Sequence, residues 1–181
     1  MNRNSRADVI ARALDVLDAY GLGDLSMRRL GAELGVAPSA LYHHFPSKQA
    51  LLAAVADEIL ARGRRGVRPD AWDERVVAIC AELRDAMLAY RDGAELVGTV
   101  RSFGLGAATP YDELVDTLAG LGPELAPVTA RTLLHYVFGH VSDEQTQLQA
   151  AAVGAIDAEV AETSDFLVGL GLVLDGVRAR V

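Results

Sequence analysis

The chain has 181 residues, of which 51% are hydrophobic and 23% are charged, and this balance excludes disorder as its main state. Charges or glycines interrupt every apolar run before it reaches the roughly 18–20 residues that a membrane helix needs. The single cysteine, Cys80, excludes an internal disulfide. No apolar signal-peptide core follows the N-terminus, so we expect a compact, soluble, cytoplasmic protein.

The net charge of −8 is unevenly distributed. Residues 1–68 carry ten basic and seven acidic side chains, a net of +3, whereas residues 69–181 carry seven and eighteen, a net of −11. An acidic protein is not expected to bind nucleic acid, but the basic first part permits it. The asymmetry favours two parts with different partners, although a mildly basic segment is also typical of a solvated surface.

Apolar residues at helical spacing predict a first helix from about Ser5 to Tyr20, ended by Gly21 in a left-handed cap. A short second helix is expected between Ser26, a suitable N-cap, and Gly35, which ends it. Together with a third short helix, which a tight glycine-containing turn joins to the second, these helices are typical of a helix-turn-helix unit.

The third helix is predicted to start at Pro38 and to turn Leu41 and Phe45 toward the core. It therefore projects Ser39, Tyr42 and His43 outward, where such side chains can hydrogen-bond to base edges and phosphates. The adjacent histidines at 43 and 44 point about 100° apart on a helix, so they do not form a metal-chelating pair.

Ser47 is a suitable N-cap for a fourth helix, which carries Leu51, Val55 and Ile59 on one face. Lys48, in the first turn of that helix, is suited to a backbone phosphate. Arg28, near the start of the second helix, can reach a phosphate or a guanine edge. Arg29 is interpreted more simply, as a solvated partner of Glu33 four residues on.

These residues closely resemble the signature of the TetR family, in two stretches, Leu25–Leu30 and Leu34–Leu52. The resemblance implies operator contacts by Arg28, Tyr42, His44 and Lys48. With their neighbours in the motif, the candidate DNA-binding residues are Met27, Arg28, Ala37, Pro38, Ser39, Tyr42, His43, His44 and Lys48.

The second half shows helical periodicity and no strand pattern, which predicts an all-helical bundle. The expected helices span residues 72–90, a short stretch within 93–109, 111–121 stopped by Gly122-Pro123, 127–149, and a last helix capped by Ser164 or Asp165; residues 150–163 are ambiguous. The predicted fold is therefore all-α, with a helix-turn-helix domain at 1–47, a connecting helix at 48–65, and an effector-binding and dimerisation domain at 66–181.

The last helix is apolar on more than one side, which predicts a partner subunit. Gly169, Gly171 and Gly176 would permit close helix approach there. In the TetR family the last helix and the long helix before it form a four-helix dimer interface, so the resemblance implies a homodimer and a palindromic operator. The candidate interface residues are Leu134, Phe138, Phe166, Leu170, Val173, Leu174 and Val177.

The segments Tyr90–Ala94 and Asp165–Leu170, and Gly139-His140, resemble the tetracycline-repressor subgroup. That subgroup holds a magnesium–drug complex with histidines, but here Arg62–Gly66 and Leu96–Val100 stand where such ligands are expected. We therefore expect a small, largely apolar effector, with no metal and no cofactor. The candidate pocket residues, each also consistent with ordinary core, are Leu83, Met87, Tyr90, Phe103, Tyr136 and His140.

The function expected from these observations is that of a bacterial homodimeric transcriptional regulator. We expect a repressor that leaves its operator when the effector binds. Control by a protein partner, without a small effector, stays open as an alternative. The chain carries none of the common catalytic motifs, such as G-x-S-x-G, H-E-x-x-H or a Walker loop, which disfavours an enzyme.

Overall fold

The computed structural model describes residues 4–66, 68–107, 110–157 and 164–180. Within these ranges the chain forms α-helices and two short 3-10 turns and contains no strand, which confirms the all-α prediction. None of the described helices combines the length and apolar composition needed to cross a membrane. The elements are α1 (Arg6–Tyr20), a 3-10 turn (Leu22–Asp24), α2 (Met27–Leu34), α3 (Pro38–Leu41), α4 (Lys48–Gly63), α5 (Trp72–Leu88), α6 (Gly93–Ser102), α7 (Pro110–Thr117), a second 3-10 turn (Ala119–Leu121), α8 (Gly122–Ala152) and α9 (Phe166–Arg178).

Serine caps start α2 and α4 as predicted, and a serine cap that was not predicted starts α1. The hydroxyls of Ser5, Ser26 and Ser47 each accept the backbone N–H three residues on, at 3.1–3.2 Å. The Asp8 carboxylate in turn accepts the Ser5 backbone N–H at 2.7 Å, which completes a capping box. This bond lowers the pKa of the Asp8 carboxyl. Gly35 ends α2 in the left-handed conformation, with φ +66° and ψ +30°.

Two predicted helix ends differ from the structure. Gly21 follows α1 with φ +83° but ψ 174°, so it is not in the left-handed helical conformation, although its N–H still bonds to the Leu17 carbonyl at 2.8 Å. Phe45 is buried as expected, yet it lies beyond α3, which ends at Leu41. A single turn of helix is enough here because the buried side chains at 41 and 45, rather than helix length, hold the segment.

Gly122 and Pro123 begin α8 and do not stop the preceding helix as a breaker. Proline is tolerated in the first turn, where its missing N–H has no intrahelical partner in any case. The long helix therefore starts five residues before its predicted start at Pro127, which lies inside it. It also continues to Ala152, and residues 158–163 of the ambiguous segment lie outside the described residues.

The chain forms two compact units. The first unit comprises Met1–Gly63 and Ala86–Ala108, and the second comprises Arg64–Asp85 and Thr109–Val181. In the first unit α1 packs against α2 and α4, α2 against α3, and α4 against α6. In the second unit α7, the second 3-10 turn and α9 pack against α8. The domain boundaries predicted at residues 47 and 65 separate DNA binding from effector binding rather than packing units, and they stay a prediction.

Candidate nucleic-acid interface

The surface around α3 is fixed by two buried side chains. Leu41 and Phe45 are each 1% exposed, and the four-residue helix ends at the first of them. Because both anchors point into the core of the first unit, the chain between them turns outward. Tyr42 is 50% exposed, His43 is exposed and His44 is half-buried. Ser39, Tyr42 and His43 are therefore exposed as predicted, but Tyr42 and His43 lie in the turn after α3 and not on the helix itself.

The turn between α2 and α3 depends on a glycine that the sequence analysis did not single out. A Cβ on Gly31 would lie 2.9 Å from the Val36 carbonyl oxygen and 3.2 Å from the Pro38 nitrogen. Only glycine lets α2 approach the turn this closely. The available signal was a glycine inside a short helix, where its low helix propensity costs about 1 kcal/mol and usually has a packing reason.

All the candidate DNA-binding residues except one are exposed or half-buried, so their side chains are accessible to DNA. Whether they contact it stays a prediction. The side chain of Met27 is only 6% exposed, so it belongs to the core of the first unit and is not available to touch DNA. His44 is half-buried, and the exposed candidates are Arg28, Ala37, Pro38, Ser39, Tyr42, His43 and Lys48.

The arginines of this region have distinct surroundings. Arg29 lies 3.3 Å from the Glu33 carboxylate, as predicted, and its guanidinium carbon stacks 3.8 Å from the centre of the Tyr20 ring. The guanidinium carbon of Arg6 lies 4.9 Å from the centre of the Phe45 ring. Both arginines therefore support the unit that presents α3, while Arg28 is exposed at the start of α2.

Three of the six effector candidates lie in the first unit. Met87 is fully buried, which is the ordinary core interpretation, and Tyr90 lies just after the end of α5. The Tyr90 hydroxyl accepts a hydrogen bond from Arg62 at 3.2 Å. The hydrogen bond of Arg62 to Glu58, followed by this one to Tyr90, raises the pKa of Arg62. Phe103 is 69% exposed after the end of α6, so it is not part of the core, and its place in an effector pocket stays a prediction.

The other three candidates, Leu83, Tyr136 and His140, lie in the second unit. Leu83 is 7% exposed. The Tyr136 hydroxyl donates to the Phe166 carbonyl oxygen at 2.7 Å, and a Cβ on Gly169 would lie 2.3 Å from that hydroxyl. Burial raises the pKa of Tyr136. Tyr136 therefore fastens α8 to the start of α9, and Gly169 serves this packing within the chain.

His140 lies one turn further along α8. Its ring centre is 5.6 Å from that of Tyr136 and 5.3 Å from that of Phe166. The carboxylates of Glu144 and Asp165 lie 3.8 Å from its two ring nitrogens. Asp165 precedes α9 as predicted but makes no side-chain capping bond. In the described part of the chain, no group of three or more His, Cys, Asp or Glu side chains is placed to hold a metal ion.

Buried ion pairs in the second unit were not predicted. Arg84 of α5 binds both carboxylate oxygens of Glu144 on α8, one of them at 2.8 Å, and Glu144 is 8% exposed. This pairing raises the pKa of Arg84. Burial alone would raise the pKa of Glu82, but hydrogen bonds from Arg68 and the Arg65 backbone lower it below its ordinary value. The partners are 14 to 60 residues apart in sequence, so no local pattern reveals them.

The predicted interface residues divide into two groups. Leu134, Phe166, Leu170 and Leu174 are at most 2% exposed within the single chain, so the assignment of these four to the surface of a dimer is wrong. Leu134 is buried on α8, and the other three bury one side of α9 within its own unit. Phe138, Val173 and Val177 are half-buried. The exposed apolar side chains of α9, which the prediction left out, are Leu167 at 61%, Val168 at 68% and Leu172 at 70%.

Comparison with known proteins identifies the family. Residues 9–55 match the family model described as bacterial regulatory proteins, tetR family, and residues 67–165 match the model described as tetracyclin repressor-like, C-terminal domain. The chain belongs to the tetR family. As a member it is a DNA-binding transcriptional regulator, and the family resemblance expected from the motif at residues 25–52 is confirmed.

Individual relatives of the tetR family cover nearly the whole chain. The tetracycline repressor protein class A from transposon 1721 of Escherichia coli is 31% identical, over 95% of this chain and 89% of its own. The crystal structure of Mycobacterium smegmatis BioQ is similar with a TM-score of 0.88 and 40% identity, covering 98% of this chain and 99% of that one.

Two further structures contain bound molecules. BioQ with its natural double-stranded DNA operator has a TM-score of 0.82 and 39% identity, covering 95% of this chain and 96% of that one. ActR of Streptomyces coelicolor in complex with (S)-DNPA has a TM-score of 0.76 and 25% identity, and the match covers 100% of both chains.

Proposed function

We propose that the chain is a homodimeric transcriptional repressor that reads a palindromic DNA operator with α3 and its flanking residues. The observation that carries this proposal is the outward segment between the two buried anchors Leu41 and Phe45. The complex of BioQ with its DNA operator supports a DNA partner of this kind. Within the proposal, Tyr42, His43 and Ser39 face the major groove, where hydrogen-bonding side chains distinguish base pairs.

Two cations complete the proposed contact surface. Lys48 is exposed in the first turn of α4, where the backbone N–H groups also favour an anion, and we assign it to a backbone phosphate. Arg28 is exposed at the start of α2 and is assigned to a phosphate or a guanine edge. Met27 is left out of the proposed contact surface because its side chain is buried.

The dimer interface is proposed to be the outer side of α9 with the adjoining part of α8. Leu167, Val168 and Leu172 are 61–70% exposed on α9, and large exposed apolar side chains grouped on one helix favour a protein partner. A twofold dimer presents two copies of α3, so the operator is expected to contain two half-sites about 34–36 Å, or one DNA turn, apart.

A small-molecule effector is the second part of the proposal. The ActR structure in complex with (S)-DNPA supports ligand binding by a protein of this fold. Tetracycline is not proposed, because the segments at 62–66 and 96–100 lack histidines. An effector that prefers the conformation with low operator affinity would shift the population toward it, and a coupling of about 1–3 kcal/mol is ordinary for such a switch.

The effector is testable without knowing its identity. A library of small, largely apolar compounds is screened by thermal shift, and compounds that raise the melting temperature are then tested for release of the operator. A compound that does both supports the proposal. If stabilising compounds leave operator binding unchanged, or if none stabilises the protein, control by a protein partner is the better account.

The DNA contact is tested at Tyr42. Tyr42→Ala is expected to weaken operator binding by about 100-fold, because a dimer loses two side chains at about 1–1.5 kcal/mol each. Tyr42→Phe keeps the ring, and its operator affinity is expected to lie between those of the wild type and Tyr42→Ala. The melting temperature should change little, since half of the side chain is already exposed. Fluorescence anisotropy with a labelled operator measures the affinities.

A control at a second exposed tyrosine separates a contact at position 42 from a general effect of changing an exposed tyrosine in this unit. Tyr20 is 47% exposed in the same unit, and Tyr20→Phe keeps the ring that stacks on Arg29, so its operator affinity should equal that of the wild type. If Tyr42→Ala binds the operator as tightly as Tyr20→Phe does, Tyr42 does not contact DNA. If Tyr42→Ala unfolds, the side chain belongs to the core.

A further inference from the structure

Asp92 stands out in the backbone of the first unit. In the described ranges it is the one residue other than glycine with a positive φ, +55°, a left-handed conformation that Asp tolerates better than most residues at a cost in free energy. Its carboxylate oxygen Oδ2 accepts the backbone N–H of Leu22 at 2.7 Å, although the two residues are 70 positions apart. A strained backbone conformation at a residue that makes such a distant hydrogen bond points to a role for that contact.

The contact lies at the entrance to the helix-turn-helix. Leu22 opens the 3-10 turn Leu22–Asp24, and the first N–H of such a turn has no partner within the turn. Asp92 supplies that partner. The chain then runs directly into Leu25, which is fully buried, and Ser26, which caps α2. The direction in which α2 leaves α1 therefore depends on a bond made by a residue beyond α5.

Two more contacts reinforce this bond. The Arg91 backbone N–H donates to the Asp18 carboxylate at 3.2 Å, near the end of α1. A Cβ on Gly21 would lie 2.5 Å from the Asp92 carboxylate, so the absence of a side chain at Gly21 makes room for it. We refer to the contacts among Asp18, Gly21, Leu22, Arg91 and Asp92 as the Asp92 clasp.

The backbone after Asp92 is equally constrained. A Cβ on Gly93 would lie 2.2 Å from the Met87 carbonyl oxygen, so the turn between α5 and α6 closes only with glycine at this position. The turn is therefore fixed from behind by Gly93 and presents the Asp92 carboxylate forward to Leu22. The sequence pair Asp92-Gly93 thus has a physical role in the first unit, far in sequence from α3.

We propose that Asp92 is a positioning residue for operator binding, which holds the 3-10 turn before α2 and thereby sets the orientation of α2 and α3. This inference rests on the proposed DNA contact of α3. Asp92 touches no DNA in this account and acts through Leu22. Electrostatics alone make the opposite forecast, because removing a carboxylate makes the protein more positive, and added positive charge strengthens DNA binding.

The test compares three variants of the whole 181-residue chain. Asp92→Gly adopts φ +55° without strain but loses the acceptor. Asp92→Asn keeps both the tolerance for this conformation and an oxygen that accepts the Leu22 N–H. Asp15→Ala removes an exposed carboxylate from the same unit, one that pairs with Arg12 three residues earlier on α1, and controls for charge. Affinities for the selected operator and for random duplex are measured well below each melting temperature.

We expect Asp92→Gly to bind the operator about tenfold more weakly, equivalent to about 1.4 kcal/mol, and random duplex as tightly as the wild type. Asp92→Asn should restore most of the operator affinity, and Asp15→Ala should equal the wild type or exceed it. If Asp92→Gly retains wild-type operator affinity, or if Asp92→Asn binds no better than Asp92→Gly, the positioning role is wrong. A wild-type protein that selects no operator overturns the proposed function itself.

Gly21→Ala provides a second route to the same contact. The added Cβ collides with the Asp92 carboxylate and adds strain at φ +83°, so this variant should weaken operator binding by at least as much as Asp92→Gly does. Wild-type operator affinity in a folded Gly21→Ala protein would contradict the proposal. Because the two variants alter residues 71 positions apart, agreement between them is not explained by a local defect at either one.

Discussion

The outer side of α9 offers a sharp test of the dimer because neighbouring leucines face opposite ways. Leu170 is fully buried within its own unit, whereas Leu172, two residues on, is 70% exposed. We therefore compare Leu172→Asp with Leu170→Ala. The first variant should damage the contact between subunits and spare the fold of each subunit, and the second should damage the fold.

The size of the dimer effect follows from the exposure. Complete burial of a leucine side chain contributes about 1.5–3 kcal/mol, so burying the exposed 70% of Leu172 contributes roughly 1–2 kcal/mol per subunit. A twofold interface loses this contribution twice, about 2–4 kcal/mol, which weakens the dimer roughly 30- to 1000-fold. An unpaired carboxylate in the interface adds to the loss.

Sedimentation velocity across a dilution series measures the dimer, and thermal unfolding measures the fold. Leu172→Asp should sediment as a monomer at concentrations where the wild type is a dimer, and its helical content should be unchanged. Leu170→Ala should lose about 2–5 kcal/mol of unfolding free energy. A Leu172→Asp protein that remains fully dimeric would refute the placement of the interface on this side of α9.

Two further predictions concern charge. Lys48→Ala should reduce the slope of log affinity against log salt by about 2 per dimer, since each lost phosphate contact contributes about 0.9. Arg12→Ala, which removes an exposed cation paired with Asp15 on α1, is the control and should leave the slope unchanged. If Lys48→Ala also leaves the slope unchanged, Lys48 does not belong to the contact surface. Glu82, whose carboxylate is buried yet has a lowered pKa because of Arg68, should stabilise the fold fully above the ordinary unfolded pKa of about 4.3 and lose this contribution as pH falls through its lower folded value. Glu82→Gln should therefore be less stable than the wild type at pH 7 by roughly 1–3 kcal/mol in chemical denaturation, with the difference closing below about pH 4, and a constant difference across that range would contradict the ion pair.

Local signals in the sequence located the first helices and their buried anchors well. Serine caps, the glycine at 35 and the spacing of Leu41 and Phe45 act over a few residues, so they predict where helices start and which side chains turn inward. The same rules failed at Gly122-Pro123. This pair is compatible both with the end of one helix and with the start of the next, and packing of α7 against α8 decides between them.

Long-range contacts were beyond local reasoning. Periodicity showed that α9 is apolar on more than one side but not which side meets its own unit, so Leu170 and Leu174 were placed at the interface and Leu172 was left out. The bond from Asp92 to Leu22 joins residues 70 positions apart, and that between Arg84 and Glu144 spans 60. Such pairs become visible only when the fold brings them together.

The measurement that tests the central claim most directly is selection of binding sites from random double-stranded DNA by the purified protein at physiological salt, followed by sequencing. The account predicts enrichment of a palindrome whose half-sites are about one DNA turn apart, and loss of that enrichment in Tyr42→Ala. A folded dimeric wild-type protein that enriches no sequence, or that enriches the same sequence without Tyr42, would contradict the reading of DNA by α3.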